Sequence, residues 1–416
     1  MDGIFHKELG DYDYDLPQER IAQYPLEVRE DSRLLIYNET GISDDRFRNL
    51  SEHLERGSLL VINETRVVHA RMLFRKETGA EIEIFCLEPV SPVRELHSAF
   101  SQNSGIVWKC LVGNSRKWKS GKLYKSFTVH GKKITIAAWR TERATDHSLI
   151  RFEWEPQDLT FSDILEITGR IPLPPYVTRT AEEQDKIRYQ TVYAAHQGSV
   201  AAPTAGLHFT GELLKTLKAK GIKKTEITLH VGAGTFRPLS SGNLMEHNMH
   251  LEQVSVSLRS IERIVRQIAK GCPVVSVGTT TMRTLESLYW HGVALLRGRA
   301  DPFRLRIGQW DPYNNGDTEG ISATEALEAI IEAEKPDENR SVRGETRLMI
   351  VPGYQFRVAD TLITNFHMPR STLLLLIAAF VGDDWKDIYD YALRNDFRFL
   401  SFGDACLLFH PKYSNQ

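Results

Sequence analysis

PVVSVGTTTMRTLES, residues 273–287, is the stretch that decides how this chain folds. Pro273 to Val277 is a short β-branched apolar run that reads as a buried strand. Met282 to Trp290 reads as a helix, with a tight polar loop between the two. A strand, a loop and a helix in this order form an α/β unit. Thr279 to Thr281 open the predicted helix, whose first amides lack internal acceptors. Such amides suit a carboxylate, a ribose oxygen or a phosphate, although threonines also cap ordinary helices. Arg283 and Glu286 are three apart and share one helix face.

The same alternation continues outward from this unit. Leu258, Ile261, Ile264, Val265 and Ile268 form a helical stripe that stops at Gly271. Upstream, Arg33–Tyr37 and Leu59–Ile62 read as strands, the second ending in a polar rim from Asn63 to Arg66. Downstream, Leu362–Phe366 returns to core before a Leu-rich helix after Ser371. Between Ala70 and Trp154 the pattern changes. AEIEIFCLEP alternates at period two from Ala80 to Leu87, and further short runs follow with no helix-length pattern between them, which predicts a small antiparallel sheet or barrel. Helical periods return over Ser162–Thr168 and Ala181–Ala195, on either side of IPLPPY (Ile171–Tyr176), whose prolines make a rigid connector. Residues 291–345 are turn-rich and read as an insertion forming a surface elaboration. Ser322 and Glu325 make a capping box there, and Ala326, Leu327, Ile330 and Ile331 supply a narrow apolar face.

A length of 416 residues favours two or three domains. Fifty-four acidic against 52 basic residues give a net charge of −2, which excludes a uniformly basic nucleic-acid wrapper and an acidic tail as descriptions of the whole chain. Hydrophobic residues at 41% and charged residues at 25% fit a folded soluble protein. The longest apolar run, Leu373–Val381, is too short to cross a bilayer, and no apolar signal segment follows the polar start, so a cytoplasmic protein with no membrane partner is expected. Cys86, Cys110, Cys272 and Cys406 are scattered and are expected as reduced thiols, with no metal site.

Five stretches carry candidate chemistry. Tyr189–Gly211 contains no charged residue other than histidine and holds His196, Thr204 and His208 among small residues, a pattern that fits a ligand loop or a buried connector equally. His230–Phe236 is a glycine-rich turn that is neither GxGxxG before a helix nor a P-loop. HNMHLE, with His247, His250 and Glu252, lacks HExxH spacing and points to proton handling or hydrogen bonding rather than metal, or to plain surface histidines. TNFHMPRST (Thr364–Thr372) places Asn365 and His367 at a strand end. Lys109–Lys133 is locally basic: Arg116, Lys117, Lys119, Lys122 and Lys125 are candidates for phosphate contact, with Trp118 and Tyr124 for bases. Lysines on an exposed hairpin also serve solubility and edge protection.

Read together, these motifs resemble the S-adenosylmethionine:tRNA ribosyltransferase-isomerase family of the queuosine pathway. The resemblance runs in order through YDYDLPQERIAQYP, LLVINETRVVHARM, IPLPPY, YQTVYA, GSVAAPTAGLHF, TLHVGAGTFRP, HNMHLE, SVGTTTMRTLES, IVPGYQF, TNFHMPRSTLLLLIAAFVG and RFLSFGDACLL. It implies an α/β catalytic domain, residues 1–69 and 155–416, with a smaller antiparallel β-barrel-like domain, 70–154, inserted near the N-terminus; 291–345 is expected, from its own pattern, as an extra insertion within the catalytic domain. It implies S-adenosylmethionine as a consumed ribosyl donor and a tRNA carrying 7-aminomethyl-7-deazaguanine at the wobble position as acceptor. A monomer is expected, since no heptad repeat supports a coiled-coil assembly. On this resemblance His208, His250 and Glu252 are the expected acid/base residues. Asn63, Arg66, Thr204, Thr235, Thr280, Arg283, Tyr354, Asn365, Phe366 and His367 are expected to hold substrate. A divergent enzyme acting on another modified nucleobase and an inactive RNA-binding homologue are the alternatives; an α/β hydrolase lacks its GxSxG elbow. Three departures stand out: Glu64 where relatives carry a second asparagine, Gln253 where an aromatic is common, and the added length of residues 291–345.

Overall fold

The computed structural model describes residues 9–129, 131–230, 244, 247–301, 304–314, 320–333 and 341–411. The aliphatic runs become strands of a ten-stranded sheet: β1 (Arg33–Asn38), β2 (Gly41–Arg46), β3 (Leu59–Asn63), β4 (Lys223–His230), β5 (Glu252–Ser257), β6 (Val274–Val277), β7 (Arg304–Ile307), β8 (Ser341–Thr346), β9 (Thr361–Asn365) and β10 (Ala405–Phe409). Their order is β7-β8-β5-β4-β3-β6-β9-β10-β1-β2. The centre, β4-β3-β6-β9, is parallel, and β3, β6 and β9 are buried along their whole length. Strands covered on both faces need continuous apolar sequence, which is what LLVI and VVSV supply. On one flank β5 and β8 run antiparallel, and their alternating burial marks one wet face.

Val277 leads through Gly278, at φ +97°, into the helix Thr279–Leu296. A positive φ here is open to glycine and strained for other residues, so the turn from strand to helix depends on it. The helix passes the expected stop at Trp290 because the helix Ala323–Ala333 packs against it. A Cβ at Gly292 would lie 1.9 Å from the Ala326 carbonyl oxygen, so the two backbones touch. Residues 304–307 and 341–346, expected as surface elaboration, instead extend the sheet through β7 and β8, and Ala326, Leu327 and Ile330 are buried in the main core.

A second, wholly antiparallel sheet forms a half-barrel. Its strand order is Gly169–Arg170, Arg71–Arg75, Glu81–Ser91, Ile106–Gly113, Ser148–Glu155, Lys132–Arg143, Leu123–Val129. The helix Phe161–Thr168 fills it. Its Thr160–Asp163 capping box fixes the start, and the Phe161 ring lies 5.4–5.5 Å from Trp108, Phe152 and Trp154. The helical period over Ala181–Ala195 is realised only as the single turn Asp185–Arg188. Tertiary contacts override it: buried Asp185 accepts both guanidinium arms of Arg179, at 2.7 and 2.8 Å, and the Glu182 amide. The four cysteines are free thiols.

Glu286, one turn beyond Arg283, is fully buried. Its carboxyl accepts from the backbone N–H groups of Arg357 and Val358 (3.0–3.1 Å) and from the Tyr354 hydroxyl (2.9 Å). Burial pushes its pKa up from 4.5 to about 7, against the opposing pull of those donors. A raised carboxyl pKa means that the folded state holds a proton the unfolded chain has released. The associated stability is complete below pH 4.5 and is lost as pH rises through about 7. Glu286→Ala is expected to cost about 2–4 kcal/mol by orphaning buried amides and leaving a void. Glu286→Gln should keep most of the stability and flatten its fall between pH 5 and pH 8, as measured by urea denaturation.

Candidate functional site

A cleft opens at the carboxyl ends of β6 and β9, the place where parallel α/β sheets present their loops. It holds about 740 Å³ of non-atom space counted out to its open mouth. Its walls come from distant stretches: Ala202–Ala205, Gly278–Thr280, Thr364–Met368, and Leu400–Ser401, with Tyr176 across from them. Thr279 and Thr280 begin the long helix, and Gly278 before them has no side chain to cap it. The first-turn amides and the positive end of the helix dipole therefore face an anion or an oxygen-rich group.

Five residues expected from sequence meet here: Thr204, Thr280, Asn365, Phe366 and His367. His367 lies with Nε2 2.9 Å from Thr364 Oγ1, and its amide donates to the Tyr389 hydroxyl at 3.1 Å. Burial, aided by Arg283, pushes its pKa down to about 3, so the ring is neutral. Asn365 donates from Nδ2 to His208 Nε2 at 3.0 Å, and neutral His208 in turn donates from Nδ1 to Ser32 Oγ at 2.8 Å. The Ser32–His208 pair thus fixes which way the Asn365 amide faces. Phe366 borders the cleft, but its ring is fully buried and stacks on Phe399 at 4.7 Å. Base stacking by that ring is not available.

Other expected residues lie elsewhere. His208 does not line the cleft; it is buried beside Phe47, with both ring nitrogens engaged, and its pKa is pushed to about 3 by burial and then by Arg398 and Arg29. Its route to the cleft is through Asn365. Glu252 and Arg283, expected as an acid/base group and a substrate clamp, satisfy each other in a buried bidentate pair at 2.5 and 3.2 Å. Burial still drives Glu252 upward despite the guanidinium. His250 is exposed. Asn63 is a buried pin between β3 and β4, accepting from the Leu229 amide and donating to its carbonyl. Arg66 reaches Glu166 at 3.2 Å on the surface. Tyr354 spends its hydroxyl on Glu286 and accepts from Trp290, so it supports the helix rather than stacking a base. Thr235 falls outside the described residues.

Sequence reasoning missed Ser32, which is 176 positions from His208, and Ser401, whose Oγ lies 2.5 Å from the Tyr176 hydroxyl. No spacing signals either. Thr364, three residues before His367 in the same motif, was open to detection. On the half-barrel, Trp118 is buried at 1% exposure and donates to the Gly121 carbonyl, so its ring does not meet bases. Lys122 sits over the Trp139 ring and Lys125 donates to the Thr168 carbonyl. Tyr124, 60% exposed, keeps an open ring, and Arg116, Lys117 and Lys119 remain on the same stretch.

A larger cleft begins where the uncharged 189–211 segment passes Glu64, His196 and Gln197 toward His230. Gly198 lies so close to the His230 ring that a Cβ would sit 2.4 Å from it. Glu64, half-buried, has His196 Nε2 at 3.6 Å, and burial raises its pKa. Among the described residues no group of three His, Cys, Asp or Glu side chains is placed to hold a metal ion. Nor is any described helix long and apolar enough to cross a membrane.

A family model described as queuosine biosynthesis protein matches residues 9–408. An S-adenosylmethionine:tRNA ribosyltransferase-isomerase from Syntrophomonas wolfei is 38% identical over 403 residues, covering 96% of this chain and 97% of the relative. One from Halothermothrix orenii is 40% identical over 405 residues, covering 96% and 99%. A solved S-adenosylmethionine tRNA ribosyltransferase from Thermotoga maritima is 30% identical, covering 96% and 100%, with a TM-score of 0.45.

His208 and His367 both have folded pKa values near 3, below the ordinary 6.5. The unfolded chain therefore binds protons that the folded chain refuses. Stability from these two groups is present above pH 6.5 and drains away as pH falls toward 3. Urea midpoints should drop between pH 7 and pH 5, and the drop should shrink in His208→Gln.

Proposed function

We propose that this chain, which belongs to the queuosine biosynthesis protein family, is a cytoplasmic S-adenosylmethionine:tRNA ribosyltransferase-isomerase. It takes the ribosyl portion of S-adenosylmethionine, attaches it to the aminomethyl group of wobble 7-aminomethyl-7-deazaguanine in tRNA, and rearranges it to the epoxycyclopentanediol of epoxyqueuosine. Adenine and methionine leave. The observation that carries this function is the family match over residues 9–408, nearly the whole chain.

The chemistry asks for three things, and the cleft at the ends of β6 and β9 suits them. A sulfonium stabilises carbanion character at the adjacent ribose carbon, so a nearby neutral base can take its proton. His367 is the candidate: the Thr364 hydroxyl donates to the Asn365 carbonyl and accepts from Nε2–H, which leaves Nδ1 to accept, and burial keeps the ring uncharged. The substrate's carboxylate or ribose oxygens suit the Thr279–Thr280 helix start. Asn365, oriented from behind by His208 and Ser32, supplies a directed amide contact. Holding donor and acceptor together turns a two-molecule encounter into an oriented reaction.

With tRNA bearing the aminomethyl deazaguanine, the enzyme should release adenine and methionine in equal amounts while the tRNA gains the rearranged ribosyl mass. His367→Gln should lower kcat by about 10²–10⁴-fold, the usual size of a general-base effect, with KM for S-adenosylmethionine shifted far less. Full turnover in that variant would remove His367 as the base. Adenine release independent of the tRNA would remove the transfer reaction itself.

A further inference from the structure

We infer that the wet face of β4, β5, β8 and β7 is the surface on which the RNA backbone lies. The inference rests on the RNA-modifying function above and specifies where that partner sits. Register places Arg304 of β7 opposite Arg343 of β8, Arg343 opposite Ser255 of β5, and Ser255 opposite Thr228 of β4. One cross-strand row thus runs from two arginines to two hydroxyls. In the next row Arg306 meets Glu345 at 3.2 Å. Leu305, Ile307, Val342 and Val254 alternate with these residues and are buried on the opposite face.

Two like charges at directly paired strand positions repel each other. Both arginines are exposed, and a bridging anion would convert their repulsion into attraction. The face borders a cleft of about 2360 Å³ of non-atom space counted out to its mouth. Arginines outnumber carboxylates along it, seven to four, and two of the four carboxylates, Glu226 and Glu345, already sit beside Arg263 and Arg306. The far wall includes Arg94 and Glu95, from the segment after the strand Glu81–Ser91 of the half-barrel. Gln253 of β5 accepts from the Leu96 amide and donates to the Arg94 carbonyl, both at 3.0 Å, which holds Arg94 over the cleft. Gln253 therefore ties β5 to the segment that follows the strand Glu81–Ser91. Fixed guanidiniums on a rigid sheet, open to one side, suit phosphates spaced along a nucleic-acid strand.

The test measures tRNA binding by fluorescence anisotropy across salt concentrations, together with adenine release at saturating tRNA. Arg304→Ala/Arg343→Ala should weaken tRNA binding about tenfold or more and reduce the slope of log affinity against log salt by about 1–2, with kcat unchanged. Arg304→Lys/Arg343→Lys, which keeps the charges, should recover most of the binding and show that the loss is not misfolding. Unchanged affinity and slope in the alanine pair would overturn the inference. So would a larger loss in Lys117→Ala/Lys119→Ala, which would put the RNA on the half-barrel. If the native enzyme binds tRNA through these arginines yet releases no adenine, the proposed reaction falls and the surface stands.

Discussion

The buried pair between Glu252 and Arg283 ties together the two working parts of the molecule. Glu252 is the inward side chain at the start of β5, and Arg283 is in the second turn of the helix that begins at Thr279. Such a pair adds little net stability over an apolar substitute, because both charges lose their water. Removing one partner is different, since the other is left charged and unsolvated. What the pair secures is position: the helix start that walls the first cleft is held to the strand whose outer face carries the polar rows. Period-two alternation does the rest, because Glu252 points in and Gln253 and Ser255 point out.

Polar groups inside this fold are kept neutral or matched. His208 and His367 are neutral because burial leaves no compensation for a charge, and Glu286 is pushed toward neutrality by the same cause. The signs oppose one another: acid weakens the fold through the histidines, and base weakens it through Glu286. The cleft is thus bordered by uncharged hydrogen-bonding groups, with the helix start as its directed positive feature. A cationic sulfonium donor with an anionic carboxylate end fits such an environment better than a polyphosphate would. Guanidiniums available to a polyanion are found on the larger cleft instead.

Much of the fold was legible in local pattern. VVSV and LLVI are too apolar to be anything but covered strands, GTTTMR after VVSV signals a helix start, and the alternation beginning at Ala80 signals an antiparallel sheet; all three hold in the structure. The helix Phe161–Thr168 was legible as a helix but not as the plug of the half-barrel, because its partners Trp108 and Phe152 are reached only through strand pairing. The period over Ala181–Ala195 misled, since an Arg179–Asp185 pair outweighs helix propensity in a segment with few buried contacts.

Residue types and their order determined, without any coordinates, an α/β frame, an antiparallel companion sheet and the motifs that carry the family likeness. Tertiary structure alone decided which motif residues share a cavity. Thr204, Thr280 and His367 meet because parallel strands end side by side, whereas Arg283 and Glu252 turn to each other and His208 turns to Ser32. The reason is that side-chain direction at a strand end or first helical turn depends on the neighbouring element. That neighbour comes from hundreds of residues away, and no local spacing encodes it.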